Sequence, residues 1–532
     1  MSRYLFKASS LVLILNAYIL TGCTLAPDFK QPEFDIPDTY KEAQDQVAAE
    51  NWMPVEFSEG SDRGQWWRIF EDERLNELEC EAAEANQSIK AAVARVEQAR
   101  ATTRANAARY LPDLNLGGNA LRNQPSNASL QVAGSPPGTK AKAYTLFDAN
   151  GTLTYEVDLF GRTRDTESAF NYDADAQEAT FRSVLLALQA DVAQNYFSLR
   201  ALDAERELLL TTVNVREENV RIMDRKYQEG EAGQQDLTRA QSEFALSQAD
   251  LIALDRQRAI TEHALAVLLG KAPAEFSFSE YPLTGVPPEI PAGLPSSLLE
   301  RRPDVSAALA SMAAANSRIG VARAAFFPTL SLTATGGYES ITLVDLFKWS
   351  SRTWALGQIA GTALTLPIFD NGRRFAQLDA AHSAYTEAVA NFRQQVLVAF
   401  KDVEDSLASQ RLLKEQANKQ NIAAQTANRT TDLIEKRYSV GDVNYFEVVD
   451  AHRTSLAAGR AAAQIKGLSF INTVSLIRAL GGGWDVNPNT DIVTEELPPL
   501  QIEEESPPIN TDCAEDLPPK TEAEEVTQPD NT

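Results

Sequence analysis

The longest uninterrupted pattern in this sequence lies in the proline-free stretch Gly161–Gly270, whose residues 185–227 read LLALQADVAQNYFSLRALDAERELLLTTVNVREENVRIMDRKY. Every seventh residue, counted from the first of this quotation, is apolar except Arg206. The residues three positions after each of these are also apolar, except Asn195 and Arg216. An apolar repeat of this kind is typical of a coiled-coil helix with a few polar breaks.

Two glycines, Gly230 and Gly233, interrupt this pattern before it resumes at Leu237. Glycine supplies the backbone conformations that a chain reversal needs, so the stretch is predicted to form a helical hairpin. A helix over residues 161–229 would be a rod of roughly 100 Å, because each residue adds about 1.5 Å. Since a globular core has no use for that length, we expect the hairpin to span a gap.

The same hairpin occurs a second time, 211 residues further along the chain. Without a gap, the residues Tyr227, Gly230, Ala240, Leu269 and Gly270 align with Tyr438, Gly441, Ala451, Leu480 and Gly481. A repeat at a fixed offset indicates a tandem duplication. Neither hairpin could bury its apolar seam alone, so each needs neighbouring helices.

Composition excludes some classes of protein. The chain has 532 residues, 44% of them hydrophobic, and a net charge of −25, which argues against a nucleic-acid-binding protein because such proteins present a basic face. Three cysteines are too few for a disulfide framework. Residues 485–532 are acidic and rich in proline, and we predict a disordered tail there.

The amino terminus is typical of an exported protein. Residues 1–22 have a basic start and an apolar run too short to cross a bilayer, which predicts a signal peptide. The ending Leu20-Thr-Gly-Cys23 resembles a bacterial lipobox, so Cys23 is predicted to become the acylated first residue. The alternative is an ordinary signal peptide with an incidental cysteine. Prolines interrupt residues 23–63, which we expect to be extended.

Four stretches alternate between apolar and polar residues, as strands with one apolar face do. In one of them, Leu153, Tyr155 and Val157 alternate with Thr154 and Glu156. About ten residues also suffice for a tilted strand to cross a bilayer. A soluble sheet packed on one face is the alternative, but the predicted lipid anchor and the lack of an apolar helix of spanning length favour a membrane barrel.

The predicted units follow from these patterns. Residues 64–270 form the first repeat, with an alanine-rich helix at about 73–109, strands at about 111–124 and 145–160, and the hairpin at 161–270. Residues 271–302 form a proline-rich linker, and residues 303–484 form the second repeat, with strands at about 328–340 and 354–369 and a hairpin at 372–481. Four strands cannot close a barrel, which needs about eight, so the barrel must be shared among chains.

Several motifs, taken in order, resemble the outer membrane factor family of TolC-like and OprM-like ducts. They are Trp66-Trp67-Arg-Ile-Phe70, Leu159-Phe-Gly-Arg162, Leu298-Leu-Glu-Arg301-Arg302-Pro303-Asp304-Val305, Ile368-Phe-Asp-Asn-Gly372-Arg373 and Arg437-Tyr-Ser-Val-Gly441. Together they cover roughly residues 20–484. The lipobox places the chain nearer to the OprM-like lipoproteins.

This resemblance implies an α+β membrane protein that forms a homotrimer. Each chain would give four strands to a shared 12-stranded barrel in the outer membrane and long helices to a helical barrel in the periplasm. The trimer would be a lipid-anchored efflux channel that conducts passively, without cofactor or metal. Its partners would be a periplasmic adaptor and an inner-membrane pump of the RND type. An exit duct for type I protein secretion is the alternative.

The resemblance also assigns residues to the periplasmic mouth. Glu447 and Asp450 match the acidic constriction, and Tyr438 would hold the mouth closed against Gln235 and Asp236. The hairpin tips that would contact the adaptor contain Tyr227, Gly230, Arg437 and Gly441. Many members carry an arginine where this chain has Val443, so this chain lacks the arginine of their closed-state salt bridge.

Two of these acidic positions have simpler interpretations. Asn444 and Glu447 have the spacing of a helix capping box, so Glu447 could act as a cap rather than in a gate. Glu156 and Asp158 are expected to face the lumen of the barrel, where a wetted wall explains them as well as a selectivity filter would.

Two other classes of protein are disfavoured. An enzyme is unexpected because His263, His382 and His452 are far apart in helical patterns and no glycine-rich phosphate loop follows a strand. A periplasmic coiled-coil adaptor would usually have one hairpin flanked by lipoyl-like strands, whereas this chain has two hairpins and four strands of membrane length.

Overall fold

The structure is a computed structural model that describes residues 24–32, 40–43, 65–126, 140, 142–290, 302–356 and 362–482. The predicted signal peptide, Cys23 and the predicted acidic tail at 485–532 lie outside the described residues. So do most of the segment 33–64 and the carboxyl-terminal part of the linker, residues 291–301.

Seven α-helices form the described helical part of the chain. They are α1 (Glu73–Ala85), α2 (Gln87–Ala107), α3 (Arg162–Gln228), α4 (Gln234–Leu268), α5 (Pro303–Ala324), α6 (Arg373–Ser439) and α7 (Tyr445–Ala479). Short 3-10 turns lie at Lys41–Ala43, Trp66–Phe70, Ala108–Tyr110, Pro273–Glu275, Leu343–Asp345 and Trp349–Ser351. None of the helices in this described part combines the length and the apolar composition that a membrane span requires.

The two hairpins have equal dimensions. Helices α3 and α6 each contain 67 residues, and helices α4 and α7 each contain 35. Both ends of α6 and α7 follow the corresponding ends of α3 and α4 by the same 211 residues that separate the repeated motifs. At about 1.5 Å per residue, each long helix is a rod of roughly 100 Å.

The apolar seam of α3 is buried, as the heptad pattern predicts. Val192, Leu199 and Leu209 have no exposed surface, and Met223 is 3% exposed. One core packs α3 against α1, α4 and α7, and a second core joins α5, α6 and α7. The seam therefore provides contacts between hairpins as well as within one.

The first predicted helix is wrong in one respect, because the structure has two helices where residues 73–109 were expected to form one. The chain leaves the helical conformation at Asn86 (φ −63°, ψ 128°), whose side-chain oxygen accepts hydrogen bonds from the backbone of Ser88 and Ile89. Its amide group donates to the carbonyl of Leu268 at 2.8 Å. A short polar side chain that caps a new helix competes with continuation of the old one.

The strands form one antiparallel sheet. They are β1 (Asp113–Asn123), β2 (Tyr144–Val157), β3 (Thr329–Ser340), β4 (Arg352–Leu356) and β5 (Thr362–Thr365), and β4 and β5 pair with successive parts of β3. The predicted strand at 354–369 corresponds to β4 and β5, with residues 357–361 outside the described part of the chain, and β5 ends at Thr365, before the predicted end. Pro367 explains this end, because proline has no N–H to donate and restricts the residue before it.

The register of the sheet separates apolar from polar side chains, because directly paired residues of an antiparallel sheet point to the same face. Leu114 pairs with Leu153, which pairs with Ala334, which pairs with Leu356. On the other face Asn115, Thr152 and Thr335 form one row, and Glu156 pairs with Ser331. In these rows the sheet therefore has one apolar and one polar face.

A buried arginine joins the start of the second repeat to its hairpin. Arg302 is 8% exposed, and its guanidinium donates to Asp304 at 2.6 Å and to Asp402 at 3.2 Å. It also donates to the carbonyl of Ala479 at 3.3 Å. Arg302 thus connects the first turn of α5 to both helices of the second hairpin.

Candidate functional site

The two hairpin tips close with the same pair of backbone hydrogen bonds. Gly230 donates to Tyr227 at 3.1 Å and Glu231 donates to Lys226 at 2.7 Å. At the second tip the corresponding bonds run from Gly441 to Tyr438 at 3.0 Å and from Asp442 to Arg437 at 2.9 Å. Gly230 (φ 76°) and Gly441 (φ 81°) adopt the left-handed conformation that this helix ending requires.

An apolar cluster, here called the tip cluster, packs the two tips against each other. It consists of the buried residues Met223, Leu237, Ala240, Tyr445, Val448 and Val449, with Val220, Ile434 and Tyr438 partly buried beside them. Burial raises the pKa of Tyr445 to about 12, so its hydroxyl stays neutral. Sequence reasoning missed Tyr445, although it follows the capping residue of α7 directly.

Tyr438 lies at the edge of the tip cluster. Its ring centroid is 6.0 Å from that of Tyr445, and the ammonium group of Lys226 lies 5.1 Å from the centre of the ring. Tyr438 therefore meets the first hairpin through Lys226. In the part of the chain that the structure describes, Gln235 and Asp236 are not hydrogen-bond partners of Tyr438.

A buried carboxylate next to the tip cluster connects three helices. Glu243 of α4 is 4% exposed. Its carboxylate forms ion pairs with Arg216 of α3, at 3.4 Å, and with Arg453 of α7. Arg216 also donates to the backbone carbonyl of Glu243 at 2.9 Å. Gln235 lines the shallow groove between α4 and α7 that contains Glu243 and Arg453.

A second polar connection joins the hairpins one heptad further from the tips. Glu205 of α3 is 3% exposed and accepts from Arg460 at 2.7 Å and from Gln464 at 3.1 Å. Arg460 also approaches Asp250 of α4 at 3.5 Å. Since one-sided loss of a buried ion pair is strongly destabilising, these contacts make the relative position of the hairpins specific.

The two acidic residues proposed for the mouth differ in their surroundings. Asp450 is exposed on the second turn of α7, and Glu447 is half-buried in the first turn. Asn444 caps α7, since its side-chain oxygen accepts from the backbone N–H of Glu447 at 3.2 Å. This bond is one half of the predicted capping box.

The other predicted tip residues are at the surface. Tyr227, Gly230, Arg437 and Gly441 are exposed. Arg437 forms a 2.6 Å ion pair with Asp442 within its own tip, and the carboxylate of Asp442 raises the pKa of the guanidinium. Val443 is half-buried and contributes no charge. The exposed tips could therefore be reached by a partner protein.

The acidic residues at the end of β2 make local contacts. Glu156 lies on the polar face of the sheet and forms a 2.5 Å ion pair with Arg162. Asp158 accepts a hydrogen bond from the backbone N–H of Arg164 at 2.9 Å, so it caps the first turn of α3. The described residues contain no group of three or more acidic, histidine or cysteine side chains that could hold a metal ion.

Comparison with known proteins gives the same architecture. A family profile described as outer membrane efflux protein matches residues 80–271 and 294–482. The toluene efflux pump outer membrane protein TtgF of Pseudomonas putida is 33% identical over 472 residues, which cover 88% of this chain and 95% of TtgF. The cation efflux system protein CusC of Escherichia coli is 30% identical over 472 residues, which cover 88% of this chain and 98% of CusC.

A solved structure agrees with these sequence matches. The CmeC outer membrane channel of Campylobacter jejuni superposes with a TM-score of 0.78 at 26% identity, over 87% of this chain and 96% of CmeC. The duplicated helical hairpins, the single sheet and the sequence matches lead to one conclusion. This chain belongs to the outer membrane efflux protein family.

Proposed function

We propose that this chain is the outer-membrane exit channel of a tripartite efflux system. In this role it conducts substrates passively from a periplasmic adaptor and an inner-membrane pump, of the RND type, to the outside of the cell. The names of TtgF and CusC, an efflux pump outer membrane protein and a cation efflux system protein, support a role in export.

The observation that carries this proposal is the uncovered apolar face of the sheet. On this face Leu114, Leu116, Trp354 and Leu364 are 67%, 85%, 75% and 67% exposed. A soluble protein rarely leaves so large a contiguous apolar surface open to water. Lipid would cover this face, and the polar face with Asn115, Thr152 and Thr335 would line a water-filled lumen.

The proposed assembly is a homotrimer. The β4 and β5 segments occupy one edge position beside β3, so each chain supplies four strand positions, too few for closure, which needs about eight. Three chains would complete a 12-stranded barrel in the outer membrane. The six hairpins would continue it as a helical barrel through the periplasm, and acylated Cys23 would anchor each chain to the membrane.

The hairpin tips would form the periplasmic mouth. Asp450, exposed on α7, would face the axis, where three copies attract cations and repel anions. The contacts of Glu243 with Arg453 and of Glu205 with Arg460 would hold the second hairpin against the first when the mouth is closed. They supply the link between hairpins that Val443 cannot make. Tyr227, Gly230, Arg437 and Gly441 would meet the adaptor.

Two measurements test the channel. Purified full-length protein should conduct ions as discrete single channels in a planar lipid bilayer. The Cys23→Ser variant, which cannot be acylated, should still need detergent for extraction because its sheet holds it in the membrane. A periplasmic adaptor would instead give no conductance and would become soluble once acylation is blocked.

A further inference from the structure

The residues that directly follow Cys23 lie in a groove between α3 and α5. The hydroxyl group of Thr24 donates to the carboxylate of Asp165 at 2.5 Å. The side-chain amide of Asn316 donates to the carbonyl oxygen of Pro27 at 2.7 Å. The guanidinium of Arg323 donates to the carbonyl oxygen of Leu25 at 3.3 Å. Three side chains from two helices thus form hydrogen bonds with Thr24, Leu25 and Pro27, three of the four residues 24–27 of the terminal segment.

Two of the groove residues are buried polar groups. Asp165 is 3% exposed and Asn316 is 5% exposed. A buried polar side chain needs a hydrogen-bond partner, and the terminal segment provides one for each of these two. The contact between segment and groove is therefore part of how these side chains are satisfied.

Gly320 leaves room in the groove for the backbone of the terminal segment. A Cβ atom at this position would lie 2.7 Å from the backbone nitrogen of Ala26 and would also collide with the carboxylate of Asp165. Glycine within a helix costs about 1 kcal/mol relative to alanine. Gly320 accordingly opposes the helical preference of α5, while it opens the space that the terminal segment occupies.

The groove lies where the sheet meets the helices. Asp165 is in the first turn of α3, shortly after β2 ends at Val157, and α5 ends at Ala324, shortly before β3 begins. Thr24 is joined to Cys23 directly, so the two Cα atoms are about 3.8 Å apart. Acyl chains on Cys23 would therefore enter a membrane beside the strand ends.

We propose that Asp165, Asn316, Gly320 and Arg323 form a binding site for the first residues of the mature chain, Thr24–Pro27. This site holds a diacylglyceryl-modified terminus at the boundary between sheet and helices. The proposal rests on the lipidation that the proposed function includes. It adds the site that fixes the anchor to one height on the protein, at the periplasmic end of the apolar face.

Site-specific photo-crosslinking of the full-length chain in native outer membranes tests this proposal. With the side chain of Leu25 replaced by benzoylphenylalanine, irradiation should give adducts in α5 or in the first turns of α3. The Gly320→Ala substitution should lower the yield of these adducts by about tenfold, which corresponds to the loss of one or two hydrogen bonds. Ser311→Ala, at an exposed position of the same helix, should leave the yield unchanged.

Different outcomes separate the binding site from the channel. Absence of adducts in the parent protein, or an unchanged yield in Gly320→Ala, would overturn the binding site even if single channels are observed. If Gly320→Ala fails to assemble, the Asn316→Ala, Arg323→Ala pair removes two hydrogen bonds without adding volume, and the same loss of adducts is expected. Mass spectrometry of the terminal peptide should find acyl groups on Cys23, and their absence would overturn the anchoring role. Single-channel conductance tests the channel function separately.

Discussion

Glu243 and Arg453 form an ion pair although they lie on different hairpins and 210 residues apart in sequence. Asp250 and Arg460, one heptad further along the same two helices, are also separated by 210 residues. The offset of the duplication is one residue more, so each pair joins nearly equivalent positions of the two copies. The first copy supplies the acid and the second supplies the arginine, which makes unlike hairpins attract each other.

Loss of this pair should loosen the contact between the hairpins. The Arg453→Ala substitution leaves buried Glu243 with Arg216 alone, and we expect a cost of about 1–2 kcal/mol, since Arg453 itself is half-exposed. That cost would shift the ratio of closed to open mouths by about tenfold. Single-channel recordings should then show more open time. Arg221→Ala, which removes an exposed arginine paired only within α3, should behave as the parent does.

Removal of Arg302 should raise the pKa of Asp304 and so change how the stability of the protein depends on pH. Burial acts to raise the pKa of Asp304, but the hydrogen bonds and charge of Arg302 outweigh it and hold this pKa below its usual value. In the parent protein this contribution to stability is present above an unfolded-state pKa of about 3.9 and is lost as the pH falls through the lower folded-state pKa.

In the Arg302→Gln variant only the hydrogen bonds from Val305 and Gln395 still oppose the effect of burial, so the pKa of Asp304 should rise. We expect a loss of about 3 kcal/mol at neutral pH, which becomes smaller as the pH falls toward 4. Thermal unfolding followed by circular dichroism between pH 4 and pH 7.5 measures this. Lys401→Gln removes an exposed cation beside Asp402 and should change little. An equal loss at all pH values would contradict the electrostatic explanation.

The periodic parts of the fold could be predicted from the sequence, because a long helix or a strand repeats its pattern many times. The two hairpins were predicted within a few residues of α3–α4 and α6–α7. The break at Asn86 was not predicted, since a single capping side chain decides it within an otherwise helical stretch. The predicted end of the fourth strand lies beyond Thr365 because the alternation of apolar residues continues past Pro367. Proline has no N–H group for pairing with a neighbouring strand.

The tip residues were located from their motif, but the contacts between hairpins were not. Arg216 was visible as a polar break in the apolar seam, and such a break indicates a buried charge that needs a partner. Its partner Glu243 lies on another helix, and the partner Arg453 lies on another hairpin. Which residues meet across helices depends on their packing register, which no single-helix pattern contains.

Neutralising Asp450 should reduce the preference of the channel for cations. Three copies of this exposed carboxylate around one axis would concentrate cations at the mouth, so Asp450→Ala removes three charges at once. The reversal potential in a salt gradient should move toward zero, by about half if Glu447 contributes equally. Asp432→Ala removes another exposed charge, from α6, and serves as the control. An unchanged reversal potential would exclude Asp450 from the conducting path.

Glu79 should make the folded chain less stable at neutral than at acidic pH. This residue of α1 is fully buried, and its two carboxylate oxygens have no hydrogen-bond partner among the described residues. Burial raises the pKa of Glu79 well above its usual value, so the folded chain holds this proton more tightly than the unfolded chain does. Stability is therefore highest below the unfolded-state pKa of about 4.3 and falls as the pH rises through the folded-state pKa.

The Glu79→Gln substitution keeps the shape of the side chain but cannot ionise. We expect it to stabilise the protein by about 1–2 kcal/mol at pH 8 and to have almost no effect at pH 4.5, because the parent side chain is already neutral there. Melting temperatures at the two pH values give the comparison. Glu84→Gln changes an exposed carboxylate of the same helix and should show no such difference. If Glu79→Gln destabilises the protein at pH 8, the carboxylate is ionised and paired in the assembled trimer, and the burial argument fails.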